Sequence, residues 1–375
     1  MFLDFNAAIA ALGGQAGVFR IANEARPMGD YLFNTLLPER NMPTYHVDSG
    51  SMVVRATMAG MVGMDSPYAP GGLVEISTFL EQTAKFANSV PMNEATLRHL
   101  QFMLQQIQGT GGDSKEALVQ EALNFFEKVV MQPHFDRMEW LRGQALSSGA
   151  INWTFNGKSL VVDYGVPVSH ILTTRTVSGG DAYGESNSGF WEDIRTLRRL
   201  VRGARLIAHP DTIDAARYNP ANAMATVAEG NGTITFRRFV RDQAGNVLTG
   251  AFSQDTGDQV TIVLYDKEGE VLNPNNPDTT VVLPFMPRGK ILAVGPNTNQ
   301  GYQPGQGSVV EDPDASLALG YTHIAPTVEG GRPGRWGRLF TPENQPWMLR
   351  GEAVTNGLPV IQAPTKIAVA STELS

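Results

Sequence analysis

The sequence predicts an α+β protein in which one long helical stretch joins two bodies of strand and loop. Apolar residues keep helical spacing from about Asn93 to Ala145, and a hairpin signal follows at once in GAINWTFNGKSLVVDYGVP, Gly149 to Pro167. Strand-like runs divided by turn residues then fill Thr233 to Val294, and 39 glycines with 23 prolines in 375 residues predict many turns and extended loops.

Residues 1 to about 45 read as an extended arm with a short helix, ended by Leu36-Leu37-Pro38. Phe2, Phe5, Phe19, Tyr31, Leu32 and Phe33 are too scattered there to form a private core, so they are expected to pack elsewhere. From Ser51 the run SMVVRATMAGMVGM alternates loosely, MDSPYAPGG breaks it, and LVEISTF resumes an extended pattern, which together predict a long two-stranded excursion. Met58, Met61, Met64, Tyr68, Leu73, Val74 and Ile76 give it apolar surface, and Gly60, Gly63, Gly71 and Gly72 give it hinges.

Asn93 to Thr96 opens a helix whose buried face is Leu97, Leu100, Met103, Leu104 and Ile107. After GTGGD, Asp113 or Ser114 caps a longer helix with the face Leu118, Ala122, Phe125 with Phe126, and Val129. Pro133 removes one amide donor and crowds the carbonyl of Val129, so a kink is expected before a second stretch with Met138, Leu141 and Ala145. Asn156-Gly157 tolerates the positive φ angles of a two-residue turn and centres the hairpin that follows.

SGGDAYGESNSG reads as a disordered separator. Ser188 caps a helix with Ile194, Leu197, Leu200 and Val201; Glu192 and Asp193 in its first turn and Arg198, Arg199 and Arg202 in its last complement the helix dipole. Leu206 and Ile207 form a short buried strand, and His209-Pro210-Asp211 starts another helix. TITFRRFV, VTIVLYD, TVVLPFMP and Lys290 to Val294 are strands, with turns at Ala244-Gly245-Asn246 and Glu268-Gly269. PNTNQGYQPGQGSVVEDPD is a long polar loop, and WMLRGEAVTNGLPVIQAPTKIAVAS reads as strand, turn and strand.

No catalytic pattern survives inspection. Gly157-Lys158-Ser159 copies the end of a phosphate loop, but Asn152 stands where the first glycine belongs and Lys158 enters a strand instead of a helix. Asp255-Thr256-Gly257 resembles an aspartic-protease triplet without a second copy or an apolar lead-in, and reads as a turn. The six histidines lack metal-ligand spacing, no Gly-x-Ser-x-Gly elbow is present, and the methionine run has no His or Cys beside it, so neither metal nor cofactor is expected. The absence of cysteine excludes disulfides and thiolate sites.

The start MFLDFNAAIAALGG lacks a basic first segment and is interrupted by Asp4, so no secretory signal is expected. No stretch approaches about 18 uninterrupted apolar residues, so no transmembrane helix is expected. With a net charge of −8, contact with nucleic acid is expected to be local and non-specific.

The order of these parts resembles the phage lambda-type major capsid proteins, which share the Hong Kong 97-like fold. The resemblance is carried by SSGAINWTFNGKSLVVDYGVP after the spine helix, with its Asp163-Tyr164-Gly165 element, then Trp191-Glu192-Asp193-Ile194, RLIAHPDTIDAA, VVLPFMPRGKILAVGPN, and Pro346 to Glu352 followed by Leu358-Pro359-Val360-Ile361. It implies an N-terminal arm at 1–45, an extended hairpin loop at 46–90, a peripheral domain with spine helix and β-arm at 91–188, an axial domain at 189–345, and a return to the peripheral domain at 346–375. The chain departs from a minimal capsid domain between about Gly230 and Ser316, where loops and turns are longer. Lys85 and Asn88 are of the residue types used by the family's occasional cross-link.

The resemblance further implies no enzyme and no cofactor. It implies synthesis in the host cytoplasm, self-assembly into hexamers and pentamers around double-stranded DNA, and scaffold, portal and decoration proteins as partners. Met58, Met61, Met64, Tyr68, Leu73, Val74, Ile76, Phe2 and Phe5 are the candidate inter-subunit contacts. An encapsulin-like compartment shares this fold and is the alternative; a cytosolic enzyme with a dispersed active site is the more distant one.

Overall fold

The computed structural model describes residues 5–25, 27, 29–55, 73–92, 94–109, 114–155, 158–244, 246–254, 258–273, 276–295, 319–341 and 349–374. Asp255-Thr256-Gly257, Asn156-Gly157, the whole of the long polar loop, Phe2, Met58, Met61, Met64 and Tyr68 lie outside the described residues.

A spine of three consecutive helical segments organises the first body: Ser114–Phe125, a π-helical segment Phe126–Met131, and Gln132–Ser148. The last of these buries Phe135, Met138, Leu141, Ala145 and Leu146. Gly143 is required there, because a Cβ at that position would stand 2.0 Å from the carbonyl oxygen of Phe285. Gly149 ends the spine with φ 67°, and its N–H donates to Ala145 O.

The expected kink at Pro133 is thus a change of helical period. A regular α-helix would carry the face Leu118, Ala122 and Phe125 on to Val129, yet Val129 is exposed and Val130 and Met131 are fully buried. Each π turn takes about one residue more than an α turn. It therefore brings Val130 under Phe125 and Met131 under Phe126, and leaves Pro133 in the first turn of the following helix, where its missing N–H is harmless. Met103, also expected inside, is exposed, as is its neighbour Phe102.

The spine packs on a five-stranded sheet ordered Glu39–Asn41, Gly320–Ala325, Leu349–Ile361 and Trp336–Phe340, with Ala84–Met92 paired to Leu349–Ile361. Its first pair is parallel and the rest are antiparallel. The arm does not wait for a partner chain: Ala8, Val18, Ala22, Tyr31, Phe33, Leu36 and Leu37 all join the core of this chain, and Leu32 packs against it. Helix Gly14–Glu24 packs on Trp336–Phe340, and Tyr31 meets Phe285 edge to face at 5.9 Å. That corrects the expectation that Tyr31, Leu32 and Phe33 pack elsewhere; the arm's apolar residues are dispersed in sequence but converge on the spine and sheet.

The second body is a seven-stranded sheet ordered Val247–Phe252, Thr233–Arg241, Gln259–Leu264, Arg205–Ala208, Lys290–Val294 and Ile367–Ser371, with Met224–Gly230 paired to Thr233–Arg241. Its central strands are buried on both faces. Ile207, Leu292 and Val369 point into the spine core, while Leu206, Ala208, Ile291, Ala293 and Ala368 join a second core with Phe190, Trp191, Ile194 and Leu197. Short, continuous apolar runs are the sequence consequence of two-sided burial. Helix Phe190–Leu200 and helix Pro210–Arg217 begin close to where expected; the Ser188 hydroxyl accepts from Phe190 N–H at 3.3 Å and His209 Nδ1 accepts from Asp211 N–H at 3.2 Å. The helix ends at Leu200, so Arg202 lies past its last turn.

Two further expectations are corrected. Glu268-Gly269 is no turn; it starts the strand Glu268–Asn273, which pairs with Asn276–Pro284, and the break from the preceding strand falls at 265–267. The separator 178–189 is ordered: Tyr183 is fully buried against Phe190, and Asp181 accepts from the N–H of Thr176 at 2.8 Å.

Candidate inter-subunit surfaces

His46–Arg55 and Leu73–Gln82 pair antiparallel over their whole length, from His46 opposite Gln82 to Arg55 opposite Leu73. Among the described residues no third strand joins this ribbon. Val74 stands opposite Val54 and Ile76 opposite Met52, and residues directly opposite in an antiparallel pair share a face. Apolar residues occupy both alternating sets of register positions: Met52, Val54, Val74, Ile76 and Leu80 in one, with Asp48 and Thr78, and Val47, Val53, Leu73 and Phe79 in the other, with Ser51, Glu75 and Ser77.

Both ends of the ribbon are rooted in the five-stranded sheet. Before it comes Glu39–Asn41, paired with Gly320–Ala325; after it, across Thr83, comes the root strand Ala84–Met92, paired with Leu349–Ile361. At the base Thr83 N–H donates to Tyr45 O at 3.2 Å. Of the candidate contacts, Leu73, Val74 and Ile76 lie in the second ribbon strand, and Phe5 opens helix Phe5–Ala11, which packs on Ser114–Phe125.

Beneath the ribbon base lies a charged cluster that sequence reading missed. Arg142, 1% exposed, donates through Nε to Thr322 Oγ1 at 2.8 Å, through Nη1 to Glu139 at 3.1 Å and through Nη2 to Glu39 at 2.9 Å. Arg335 reaches the same Glu39 oxygen at 2.5 Å, and its guanidinium lies 4.3 Å from the Phe135 ring centre. Glu139 also accepts from Phe33 N–H at 2.7 Å and Tyr265 OH at 2.9 Å. Burial alone would raise the Glu39 carboxyl, but Arg335 and Arg142 outweigh it and hold it at about 2; burial dominates at Glu139, whose carboxyl is raised although Arg142 opposes the shift. These contacts clamp the arm, the spine and the sheet together. The Glu139 to Arg142 spacing was visible in the helix, whereas Glu39 and Arg335 are brought in by tertiary folding alone.

A second node ties the ordered separator down. Arg175 donates to Asp193 at 2.7 Å, to Glu192 at 3.0 Å and to Asp181 at 3.3 Å, and Tyr183 OH donates to Asp193 at 3.0 Å. Burial raises the Asp193 carboxyl against the pull of Arg175. The acidic first turn expected to serve the helix dipole therefore also anchors a loop.

An open groove of about 350 Å³ runs between the root strand, the spine and the hairpin Glu268–Pro284, lined by Phe86, Trp140, Val271, Leu283 and Phe285 among others. Several of its polar groups already have partners: Asp136 accepts from Tyr31 and Gln132, His134 bonds Asn88, and Lys85 pairs with Glu329 at 2.7 Å. Among the described residues no group of three or more His, Asp or Glu side chains converges as a metal site.

A solved structure shares this architecture. A protein named as the capsid protein of a prophage in E. coli CFT073 matches with a TM-score of 0.52 at 10% identity, covering 91% of this chain and 93% of its own. A protein of Mycobacterium phage Patience matches with a TM-score of 0.43 at 14% identity over 99% and 89%, and the SrpI encapsulin of Synechococcus elongatus PCC 7942 with 0.37 at 11% over 97% and 94%. No curated protein sequence matches. The fold is that of a Hong Kong 97-like capsid subunit. Within that class the family described as phage major capsid protein E matches residues 16–303, and the chain belongs to it. It is a structural protein of the virion shell, self-assembling and not an enzyme.

Proposed function

We propose that this chain forms the hexamers and pentamers of an icosahedral shell around a double-stranded DNA genome, and that the ribbon lies across an adjacent subunit. The ribbon carries this reading. A two-stranded ribbon is marginal in water, and this one carries apolar residues along both strands with no third strand to support it among the described residues. Met58, Met61, Met64, Tyr68, Leu73, Val74 and Ile76 are its contact residues, with Phe2 and Phe5 as contacts at the start of the arm.

The peripheral domain would comprise 91–188 and 346–375, with 189–345 forming the axial domain about the capsomer centre. Net charge of −8 favours weak, non-specific contact with packaged DNA. Synthesis in the host cytoplasm, and scaffold, portal and decoration proteins as partners, belong to the same reading.

Electron microscopy of the expressed protein should show closed shells or hexameric rings, and Leu73→Asp with Ile76→Asp should abolish them while the circular dichroism of the subunit is kept. A monodisperse monomer at high concentration would refute assembly, and normal shells from the double variant would refute the role of the ribbon.

A further inference from the structure

We infer that Asn88 couples the position of the ribbon to the spine helix, so that seating of the ribbon is felt at the π-helical segment. Asn88 lies on the root strand, which leaves the ribbon after the single residue Thr83. Its Nδ2 donates to the carbonyl of Val130 at 2.9 Å, and its Oδ1 bonds His134 Nε2 at 2.9 Å. One partner lies inside the π segment and the other in the first turn of the helix that follows, so this side chain bridges the change of period.

Little slack exists at that bridge. His134 is 3% exposed and its Nδ1 has no partner, so losing Asn88 would leave the whole imidazole unbonded in the interior. Gly351, opposite Val90 of the root strand, closes the other side: a Cβ there would stand 2.4 Å from Val130 Cγ2. The root strand and its neighbour therefore both bear on Val130. Displacing the root strand must either break two partly buried hydrogen bonds or carry the π segment with it. Helical π segments are sites where a main-chain ladder is already irregular, which makes this the compliant point of the spine.

The inference rests on the proposal that the ribbon seats on a neighbouring subunit, because seating is what loads the root strand. Hydrogen exchange followed by mass spectrometry on the full chain, in isolated subunits and in shells, tests both ideas separately. Residues 126–135 should gain protection on assembly together with the ribbon. In isolated subunits Asn88→Ala, which removes both hydrogen bonds, should speed exchange at least about tenfold in both 84–92 and 126–135, while the buried strand 205–208 keeps its rate. Asn88→Ser is the second variant should Asn88→Ala fail to fold.

A ribbon that gains protection while 126–135 does not, or a variant whose spine exchanges at the wild-type rate, would overturn the coupling. A ribbon unchanged by assembly would overturn the docking proposal instead, and the variant in isolated subunits would still decide the coupling.

Discussion

Phe126 and Met131 stand five residues apart in the spine and are both buried to within 1% of full exclusion from solvent. That spacing fits neither an α-helix nor a strand, and it matches the period of the π segment between them. Deleting the exposed Val129 should turn the segment into a regular α turn with both apolar faces still in phase. Pro133 would then crowd a helix interior, at a cost of about 3 kcal/mol. Urea denaturation should show that loss in the deletion variant and recover most of it when Pro133→Ala is added. Equal stabilities with and without Pro133 would show that the proline does not require the π segment.

Arg142 is the hinge pin of the buried charges. Arg142→Ala would leave Glu139 and Glu39 without their shared cation, at a cost of about 3 to 5 kcal/mol. Chemical denaturation checks this, and a loss below about 1 kcal/mol would mean the cluster is solvated in solution.

Acid should weaken the fold in two windows. His134 is held down to about 3 from 6.5, by burial first and by Arg335 second. Its unfolded form takes up a proton below 6.5 while the folded form does not, so stability falls as pH drops from 6.5 toward about 3. Glu39 has a depressed carboxyl, so its contribution is complete above about 4.5 and is lost as pH falls toward about 2. His134→Gln should flatten the upper window and leave the lower one. Denaturation midpoints at pH 7.5, 5.5 and 4 decide this; an unchanged slope between 7.5 and 5.5 in the variant would contradict it.

The arm should be indispensable for folding as well as for any role in assembly. Removing residues 1–40 deletes Phe33, Leu36, Leu37 and Glu39 from the core and uncovers Arg142. The truncated chain is expected to aggregate or to lose its cooperative unfolding transition, and a well-folded truncated subunit by circular dichroism would contradict the packing described here.

Local signals carried much of this architecture. The spine, the hairpin Ala150–Asp163, the ribbon strands and the two-sided strands at Leu206 and Lys290–Val294 were legible because periodicity and turn chemistry act over a few residues. What sequence reading lost depends on partners far along the chain. The arm's residues looked homeless because their core is supplied by 126–146, 319–339 and 349–361. Tyr183 sat in a run of glycine and serine whose order comes from Asp193 and Thr372. The i, i+5 pairs Phe125 with Val130 and Phe126 with Met131 were a local signal of the π segment that an α-helical template passes over.

Among the contact candidates, only the ribbon strands and the helix holding Phe5 fall within the described residues.

Hydrogen exchange across 46–82, compared between isolated subunits and assembled shells, tests the central claim most directly. The ribbon's amides should exchange fast in the isolated subunit, where no third strand supports it among the described residues, and become strongly protected in shells. Equal exchange in the two states would show that the ribbon packs on its own subunit, and would contradict its role between subunits.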